Sequence, residues 1–418
     1  METLDKLNRR LVLQGISGTL AAASVPLCAR AARTIKIGYV SPETGPLAAF
    51  GAADRFVINA LHPVLTAHGI ELEVRDSQSD PNRAAAVAND LINAGVALML
   101  VSSTPATTNP VSDQCELAGV PCISTVSPWQ AWFFNRGGVP GKGFTWTYHF
   151  FWGLEQVVET YTSMWAQLPM AGKIVGGLFP NDGDGNAWSN PEHGFPPVLK
   201  AKGYKLIDPG RYQDGTSDFS AQIRDFKSGD ANIMTGVVVP PDFTTFWNQA
   251  QQQGYRPQIA TIGKALLFPE MLNGLGSKGN NLSSEVWWTP SYPFVSSLTG
   301  QSAAQLAKVY EQTMHRQWTQ PIGFAHALLE IAVSVVQRSA DPSNPNDVLK
   351  ALTSTSLKTI VGPISWKNGP VKNVCRTPLA GGQWRLTHDG PYKYDLIITE
   401  NIAAPEVPVI GKMEPIIW

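Results

Sequence analysis

The chain has 418 residues, of which 43% are hydrophobic and 16% are charged, a composition typical of a globular protein and not of a disordered one. Its 32 lysines and arginines nearly balance its 33 aspartates and glutamates, so no basic excess indicates nucleic-acid binding. The length is sufficient for two or three domains.

Residues 1–33 are predicted to be an export signal of the twin-arginine type. Arg9 and Arg10 precede a mildly apolar run, and Ala29-Arg30-Ala31 offers a small-x-small cleavage site. The alternative is an N-terminal amphipathic helix, but two glycines and Pro26 interrupt it. We therefore expect the protein to be periplasmic or otherwise exported after the signal is cleaved.

Predicted strands and helices alternate beyond this signal. Residues 34–40 have a strand pattern, residues 47–67 have apolar positions at helical spacing, and residues 96–101 form a further strand. The alternation of strands and helices restarts near residue 150. Residues 181–191 are predicted to form a loop, and amphipathic helices follow residue 300. The alternation predicts an α/β fold class with two doubly wound, Rossmann-like lobes, each a parallel sheet covered by helices.

Two predicted strands within residues 100–134 end in hydroxyl side chains. In parallel sheets, ligands gather at the carboxyl ends of the strands, where the following helix presents free N–H groups. These strand ends therefore predict half of a pocket for a small anion. The hydroxyl residues are Ser102, Ser103 and Thr104 after the first strand, and Ser124 and Thr125 after the second.

The cysteines leave two possibilities open. Cys115 and Cys122 flank a predicted turn, so in an oxidising compartment they either form a disulfide or remain two buried thiols. Cys375 has no obvious partner. Neither the cysteine spacing nor the scattered histidines match a zinc pattern.

No motif predicts catalysis or a bound metal. The chain has no Gly-x-Ser-x-Gly elbow and no phosphate-binding loop, so neither a catalytic residue nor a cofactor is expected. Residues 182–186 have the alternating oxygen ligands of a calcium loop, but they lack its glycine and its closing glutamate. A polar turn is the simpler interpretation.

Five motifs occur in a fixed order: Thr44–Gly51, Asp76–Pro81, Ser102–Thr104, Gly119–Thr125 and Gly362–Ile364. Together they resemble the branched-chain amino-acid (leucine/isoleucine/valine) binding protein family, the type I periplasmic binding proteins of ABC transporters. The resemblance covers nearly the whole chain after the signal. It implies two lobes joined by a three-crossover hinge, one small ligand held between them, and no reaction.

We expect the first lobe to comprise residues 34–149 plus 290–360. The second lobe would comprise residues 150–289 plus 361–418, including a C-terminal segment. The resemblance also implies partners: a small-molecule carboxylate and an ABC transporter permease in the inner membrane. The protein is expected to be a monomer.

The resemblance assigns ligand contacts residue by residue. The five hydroxyl residues match segments that hold the ligand's carboxylate, Phe50 matches a position facing the cleft, and Trp188 lies near an aromatic that closes over the ligand. Asp242 and Lys264 lie where amino-acid binders hold the α-amino group. A lysine there repels an ammonium unless Asp242 compensates, or it pairs with a neighbouring carboxylate.

The resemblance implies an acidic residue near Lys264, whereas a lysine attracts an anion. This difference, with the aromatic residues Phe50, Trp129 and Trp188, indicates an aromatic or other organic acid as the ligand. Trp129 is the residue that we expect to distinguish such a ligand from an aliphatic amino acid. Two alternatives remain. The first alternative is a ligand-sensing partner of a membrane receptor, and the second is an exported hydrolase whose catalytic residues are dispersed in the sequence.

Overall fold

The computed structural model describes residues 34–170 and 172–418, and the predicted export signal lies outside this range. Strands and helices alternate as the sequence predicts. The strands are β1 Ile35–Ser41, β2 Ile70–Asp76, β3 Leu98–Ser102, β4 Cys122–Thr125, β5 Thr147–Phe150, β6 Ile174–Pro180, β7 Lys205–Ile207, β8 Arg211–Tyr212, β9 Ile233–Val238, β10 Ile259–Lys264, β11 Ser283–Val286, β12 Ser356–Thr359, β13 Gly362–Ser365, β14 Val374–Cys375, β15 Leu379–Leu386 and β16 Tyr394–Ala403. The helices are α1 Ala48–Gly51, α2 Asp54–Ala67, α3 Pro81–Asn93, α4 Pro105–Ala118, α5 Trp129–Phe133, α6 Leu154–Ala166, α7 Gly183–Trp188, α8 Phe195–Ala201, α9 Ser220–Ser228, α10 Pro240–Gln252, α11 Pro269–Leu275, α12 Ala303–Met314, α13 Pro321–Arg338 and α14 Pro345–Thr353.

The first sheet has six parallel strands in the order β2-β1-β3-β4-β5-β14. Every residue of β3 and β4 is buried, because helices cover both faces of the sheet. The register places Ser102 opposite Thr125 and Ser124 opposite His149. Ser124 and Thr125 therefore belong to β4 itself, whereas the sequence predicted that they follow it.

The second sheet has the order β7-β6-β9-β10-β11-β15-β16, and β8 also pairs with β6. Strands β6, β9, β10 and β11 are parallel to one another, whereas β15 runs antiparallel to β11 and to β16. The two sheets define two lobes of the predicted α/β, Rossmann-like type. A separate two-stranded sheet is formed by β12 and β13.

The chain passes between the two sheets three times, as the fold class predicts. It leaves β5 through residues 151–153 to α6, which packs on β15 and β16. It returns after β11 to α13, which packs on α2, β3 and β4, and it crosses again between β14 and β15. The expected division at residue 360 placed all of 361–418 in the second lobe, but β14 pairs with β5 in the first sheet.

Local sequence signals explain several helix boundaries. The Asp80 carboxylate accepts a hydrogen bond from the Arg83 N–H, and Pro81 occupies the first turn, so α3 begins there. Gly119 ends α4 with a φ of 71°, a left-handed conformation that glycine adopts at little cost. None of the helices in the described part of the chain is long and apolar enough to span a membrane.

Candidate functional site

A cavity of about 300 Å³, including the part open to solvent, lies between the two lobes. Three groups of residues line it. They are Phe50, Thr104, Val126 and Pro128 from the first lobe; Phe151, Trp152 and Trp287 from the crossing segments; and Asp184, Trp188, Val237, Lys264, Leu267 and Glu285 from the second lobe.

Contacts between the lobes surround this cavity. The Phe50 ring makes an edge-to-face contact with Phe268, with 5.0 Å between the ring centroids. The Asn135 side-chain amide donates to the Gly183 carbonyl at 3.1 Å, and Phe134 stacks on His193 at 4.9 Å. The lobes are therefore in contact around the cavity.

Of the three hydroxyl residues at the end of β3, Thr104 lines the cavity, whereas Ser102 and Ser103 do not. Ser102, Ser103 and Thr104 are each at most 2% exposed, and their hydroxyls have no hydrogen-bond partner among the described residues. Thr104 lines the cavity and also precedes α4, whose first turn carries a partial positive charge. Thr104 therefore lies where a ligand anion is expected, and the ligand contacts of Ser102 and Ser103 stay a prediction.

Ser124 and Thr125 are engaged elsewhere. The Ser124 hydroxyl lies 2.8 Å from His149 Nδ1, and the Thr125 hydroxyl donates to the Phe150 carbonyl at 2.6 Å. Neither residue lines the cavity. Because both lie within β4, their side chains bond to the adjacent β5, and the expectation that they face the ligand is not supported.

Trp129 is also not among the lining residues. Its indole N–H donates to the Glu155 carboxylate at 3.1 and 3.2 Å, and its ring packs against Phe133 and Phe134. Trp152, on the first crossing, lines the cavity instead. The sequence favoured Trp129 as the aromatic that distinguishes the ligand, whereas the structure places Trp152 on the cavity wall.

Trp188 lies where the sequence predicts a cavity aromatic, but on a helix and not in a loop. The Asp182 carboxylate accepts a hydrogen bond from the Gly185 N–H at 2.6 Å, which caps the start of α7. Trp188, at the end of this helix, is fully buried and stacks on Phe195 at 4.6 Å. This stacking fixes the ring in the cavity wall.

Lys264 lines the cavity, but its charge is already paired. Its Nζ lies 2.6 Å from Asp182 Oδ2 and 2.8 Å from Asp184 Oδ2, and only 5% of its side chain is exposed. Burial lowers the pKa of Lys264, but the two carboxylates outweigh it and hold the pKa well above its usual value. Of the two alternatives for Lys264, the structure shows pairing with carboxylates, although in a buried position.

The second-lobe wall is consequently not positive. Burial raises the pKa of Asp184 to about 6, and Lys264 opposes this shift. Asp242 does not line the cavity. The Gly215 N–H donates to both of its carboxylate oxygens, at 3.0 and 3.1 Å. Lys264 is therefore not available to attract an anionic ligand, because its one ammonium is bound by two carboxylates.

Glu285 is a cavity residue that the sequence analysis missed. It lies in β11, two residues before Trp287, and it is 2% exposed. The Tyr161 and Ser284 hydroxyls both donate to its Oε2, the latter at 3.0 Å. Burial raises its pKa to about 7, although hydrogen bonds from Tyr161 and neighbouring backbone N–H groups oppose the shift. The available signal was an acidic residue directly before the apolar run Val286-Trp287-Trp288.

Three indole donors on the cavity wall have no protein acceptor. The Nε1 atoms of Trp152, Trp188 and Trp287 are buried, and none has a hydrogen-bond partner among the residues that the structure describes. Trp288 shares this property but lies outside the cavity wall. Leaving a buried donor unpaired costs about 1–3 kcal/mol, so the wall favours a ligand with acceptor oxygens.

The cysteines are free thiols in the structure. Cys115 on α4 and Cys122 in β4 are neighbours in one buried cluster, and Cys375 is also free and buried. Burial raises the pKa of Cys115 well above its usual range, and the neighbouring Cys122 thiol raises it further. Of the two open alternatives, the structure has two buried thiols and no disulfide.

Comparison with known proteins identifies the family. A family model described as periplasmic binding protein matches residues 34–385. The chain belongs to the periplasmic binding protein family. Members of this family bind solutes and are not enzymes, which removes the alternative of an exported hydrolase. For this periplasmic binding protein, the predicted family and fold class are confirmed.

Two curated relatives show the extent of sequence similarity. A leucine-, isoleucine-, valine-, threonine- and alanine-binding protein of Pseudomonas aeruginosa is 32% identical over 118 residues, 27% of this chain and 32% of the relative. A Leu/Ile/Val-binding protein homolog 7 of Brucella suis is 26% identical over 283 residues, 62% of this chain and 64% of the relative. The chain thus spans less than two thirds of the length of either relative.

Solved structures share the fold at low identity. A branched-chain amino acid transporter substrate-binding protein of Streptococcus pneumoniae, solved with isoleucine, has a TM-score of 0.67 at 16% identity, covering 88% of this chain and 100% of that one. A solute-binding protein of an ABC transporter from Rhodopseudomonas palustris, solved with 4-hydroxybenzoate, has a TM-score of 0.68 at 16% identity, covering 89% and 98%. Both have the type I fold, with two Rossmann-like lobes.

Proposed function

We propose that this binding protein is the exported substrate-binding component of an ABC importer, and that it holds a small carboxylate between its lobes for delivery to an inner-membrane permease. The observation that carries the proposal is the set of cavity donors without a protein acceptor. They are the Thr104 hydroxyl and the indole N–H groups of Trp152, Trp188 and Trp287. A carboxylate supplies acceptor oxygens for these donors, and the start of α4 favours its charge.

The cavity lining favours an aromatic acid. Five aromatic residues line the cavity: Phe50, Phe151, Trp152, Trp188 and Trp287. A ligand ring among them gains about 0.5–1.5 kcal/mol per aromatic contact beyond the area that it buries. The relative solved with 4-hydroxybenzoate shows that the fold accommodates such a ligand. The aromatic-acid proposal thus rests on these rings and no longer on the charge of Lys264.

An aliphatic amino acid is the second candidate, because Asp184 and Glu285 place carboxylates on the second-lobe wall. Either carboxylate is of the type that binds an ammonium group. The relative solved with isoleucine has the same fold. The two candidates therefore differ in the group that the second lobe recognises.

Calorimetric titration of the processed protein with benzoate, 4-hydroxybenzoate and leucine tests the proposal. We expect an aromatic acid to bind and a Thr104→Val variant to bind it at least tenfold more weakly, because one hydrogen bond to a charged group is lost. Trp288→Phe is the control, since Trp288 lies outside the cavity wall. Tight leucine binding without any aromatic-acid binding would select the amino-acid candidate. If none of these carboxylates binds, the ligand class is wrong.

Export and transport need separate experiments. Lysine replacement of both Arg9 and Arg10 is expected to keep the protein in the cytoplasm, because twin-arginine signals are recognised through that pair. Uptake of the labelled ligand should be lost when the gene is deleted. Unchanged uptake together with a lost transcriptional or chemotactic response would instead support the ligand-sensing alternative. Light scattering of the processed protein checks the expected monomer.

A further inference from the structure

We propose that Glu285 determines specificity by accepting a hydrogen bond from a donor group on the end of the ligand opposite its carboxylate. This inference rests on the proposed function, since it assumes that the carboxylate faces Thr104. It adds a requirement for the other end of the ligand. That end carries a hydroxyl or an ammonium group, and not a second carboxylate.

The two oxygens of Glu285 have different surroundings. Oε2 accepts from the hydroxyls of Tyr161 and Ser284, whereas no side chain among the described residues donates to Oε1. Oε1 lies beside Gly263, since a Cβ atom on that glycine would be 3.2 Å from it. The same Cβ would be 3.0 Å from Cη2 of Trp188. Oε1 and the edge of the Trp188 ring are therefore adjacent on the cavity wall.

Glu285 has no cation to neutralise it. None of the ion pairs among the described residues includes it, and the nearest lysine of the wall, Lys264, is bound to Asp182 and Asp184. Burying a carboxylate without a cation is unfavourable unless hydrogen bonds satisfy it. Side-chain hydroxyls donate only to Oε2, while the backbone N–H groups of Lys264 and Glu285 also stabilise the carboxylate. Since a carboxylate oxygen has two lone pairs, Oε1 retains the capacity to accept a hydrogen bond from the ligand.

Glu330 shows how a structural buried carboxylate differs. It lies on α13, away from the cavity wall, and burial raises its pKa to about 7. Its Oε1 accepts from the backbone and hydroxyl of Ser297, and its Oε2 accepts from the Ile360 N–H at 3.0 Å. Both oxygens of Glu330 therefore have protein donors, whereas Glu285 keeps one oxygen on a ligand-facing wall.

The charges of the second-lobe wall restrict the ligand further. Asp182, Asp184 and Glu285 carry three carboxylates against the single ammonium of Lys264. A second carboxylate on the ligand would meet like charges in a buried environment, where repulsion is weakly screened. The structure thus selects monocarboxylates with a distal donor and rejects dicarboxylates.

Three para-substituted ligands test this at about pH 8, above the raised pKa of Glu285, which is about 7. They are 4-hydroxybenzoate, terephthalate and 4-(aminomethyl)benzoate, which carries the ammonium group, and unsubstituted benzoate is the reference ligand. Each is titrated into the wild type, Glu285→Gln and Glu330→Gln. Glu330→Gln is the matched control, because it makes the same change at a buried carboxylate outside the cavity.

In the wild type we expect 4-hydroxybenzoate or the ammonium ligand to bind about tenfold more tightly than benzoate, as for one hydrogen bond to a charged acceptor. Terephthalate should bind more weakly than benzoate. Glu285→Gln should lose most of the preference for the donor-bearing ligands over benzoate, and it should bind terephthalate more tightly than the wild type does. Glu330→Gln should bind all four ligands as the wild type does. A merely structural role would not produce this reciprocal change.

Two results would overturn the inference. One is equal binding of benzoate and both donor-bearing ligands by the wild type. The other is a Glu285→Gln variant that keeps the wild-type order of affinities. In both cases benzoate still binds, so the proposed function survives; if no ligand binds the folded wild type, the aromatic-acid proposal itself fails.

Discussion

The Lys264 cluster allows a sharp prediction, because one buried ammonium holds two carboxylates. Lys264→Met removes the charge but keeps an unbranched side chain of similar length. Lys264 also has a positive φ of 60°, a strain that methionine shares, so the backbone contribution cancels in the comparison. What remains is the loss of the pairs with Asp182 and Asp184, whose side chains are 16% and 3% exposed.

Breaking a buried ion pair by removing one partner typically costs about 3–5 kcal/mol. We expect a loss in this range, since Asp184 stays buried without its cation. Burial raises the pKa of Asp184 to about 6 even beside Lys264, so the pKa rises further in the variant. A folded-state pKa above the unfolded value of 3.8 means that stability falls as pH rises. The deficit of the variant should therefore be largest at neutral pH and smaller near pH 4.

Urea unfolding followed by circular dichroism, at several pH values, measures this deficit. The double variant Lys264→Met/Asp184→Asn is the matched control, because it removes the orphaned carboxylate and should recover part of the loss. A single-variant loss below about 1 kcal/mol, the value of an exposed ion pair, would refute the reasoning. So would a deficit that does not change with pH, or a double variant less stable than the single one.

Three further predictions concern other buried groups. Burial raises the pKa of Asp54 from 3.8 to about 7, so the contribution of Asp54 to the free energy of unfolding falls as the pH rises between those values. Asp54→Asn should therefore gain stability relative to the wild type over that pH interval, as measured by urea unfolding. A stability difference that does not change with pH would contradict this. Gly263→Ala should weaken ligand binding in calorimetry and lower the free energy of unfolding by about 1–3 kcal/mol, because its Cβ would lie 3.0 Å from the buried Trp188 ring; unchanged affinity would show that this wall does not contact the ligand. In the processed protein, iodoacetamide without reductant should label Cys115, Cys122 and Cys375 slowly in the native state and completely after denaturation, as read by mass spectrometry. A pair that stays protected after denaturation would reveal a disulfide.

Local patterns in the sequence were sufficient for the fold class and for part of the site. The alternation of apolar strands and amphipathic helices depends on burial on both faces of a sheet, which periodicity records directly. The hydroxyl residues 102–104 lie at the carboxyl end of β3, where the sequence predicted them. The family resemblance implied a ligand-facing aromatic at Trp188, and Trp188 lines the cavity, although its segment contains helix α7 and was predicted as a loop.

Only the tertiary structure decided which of these residues face the cavity. Whether Ser124 faces a ligand or the next strand depends on where β4 ends, and that is set by pairing with β5, a contact distant in sequence. The charge of Lys264 is neutralised by Asp182, 82 residues away. Electrostatics and strand pairing act across space, so the sequence alone indicated a pocket for an acid, while the fold determined which side chains line it.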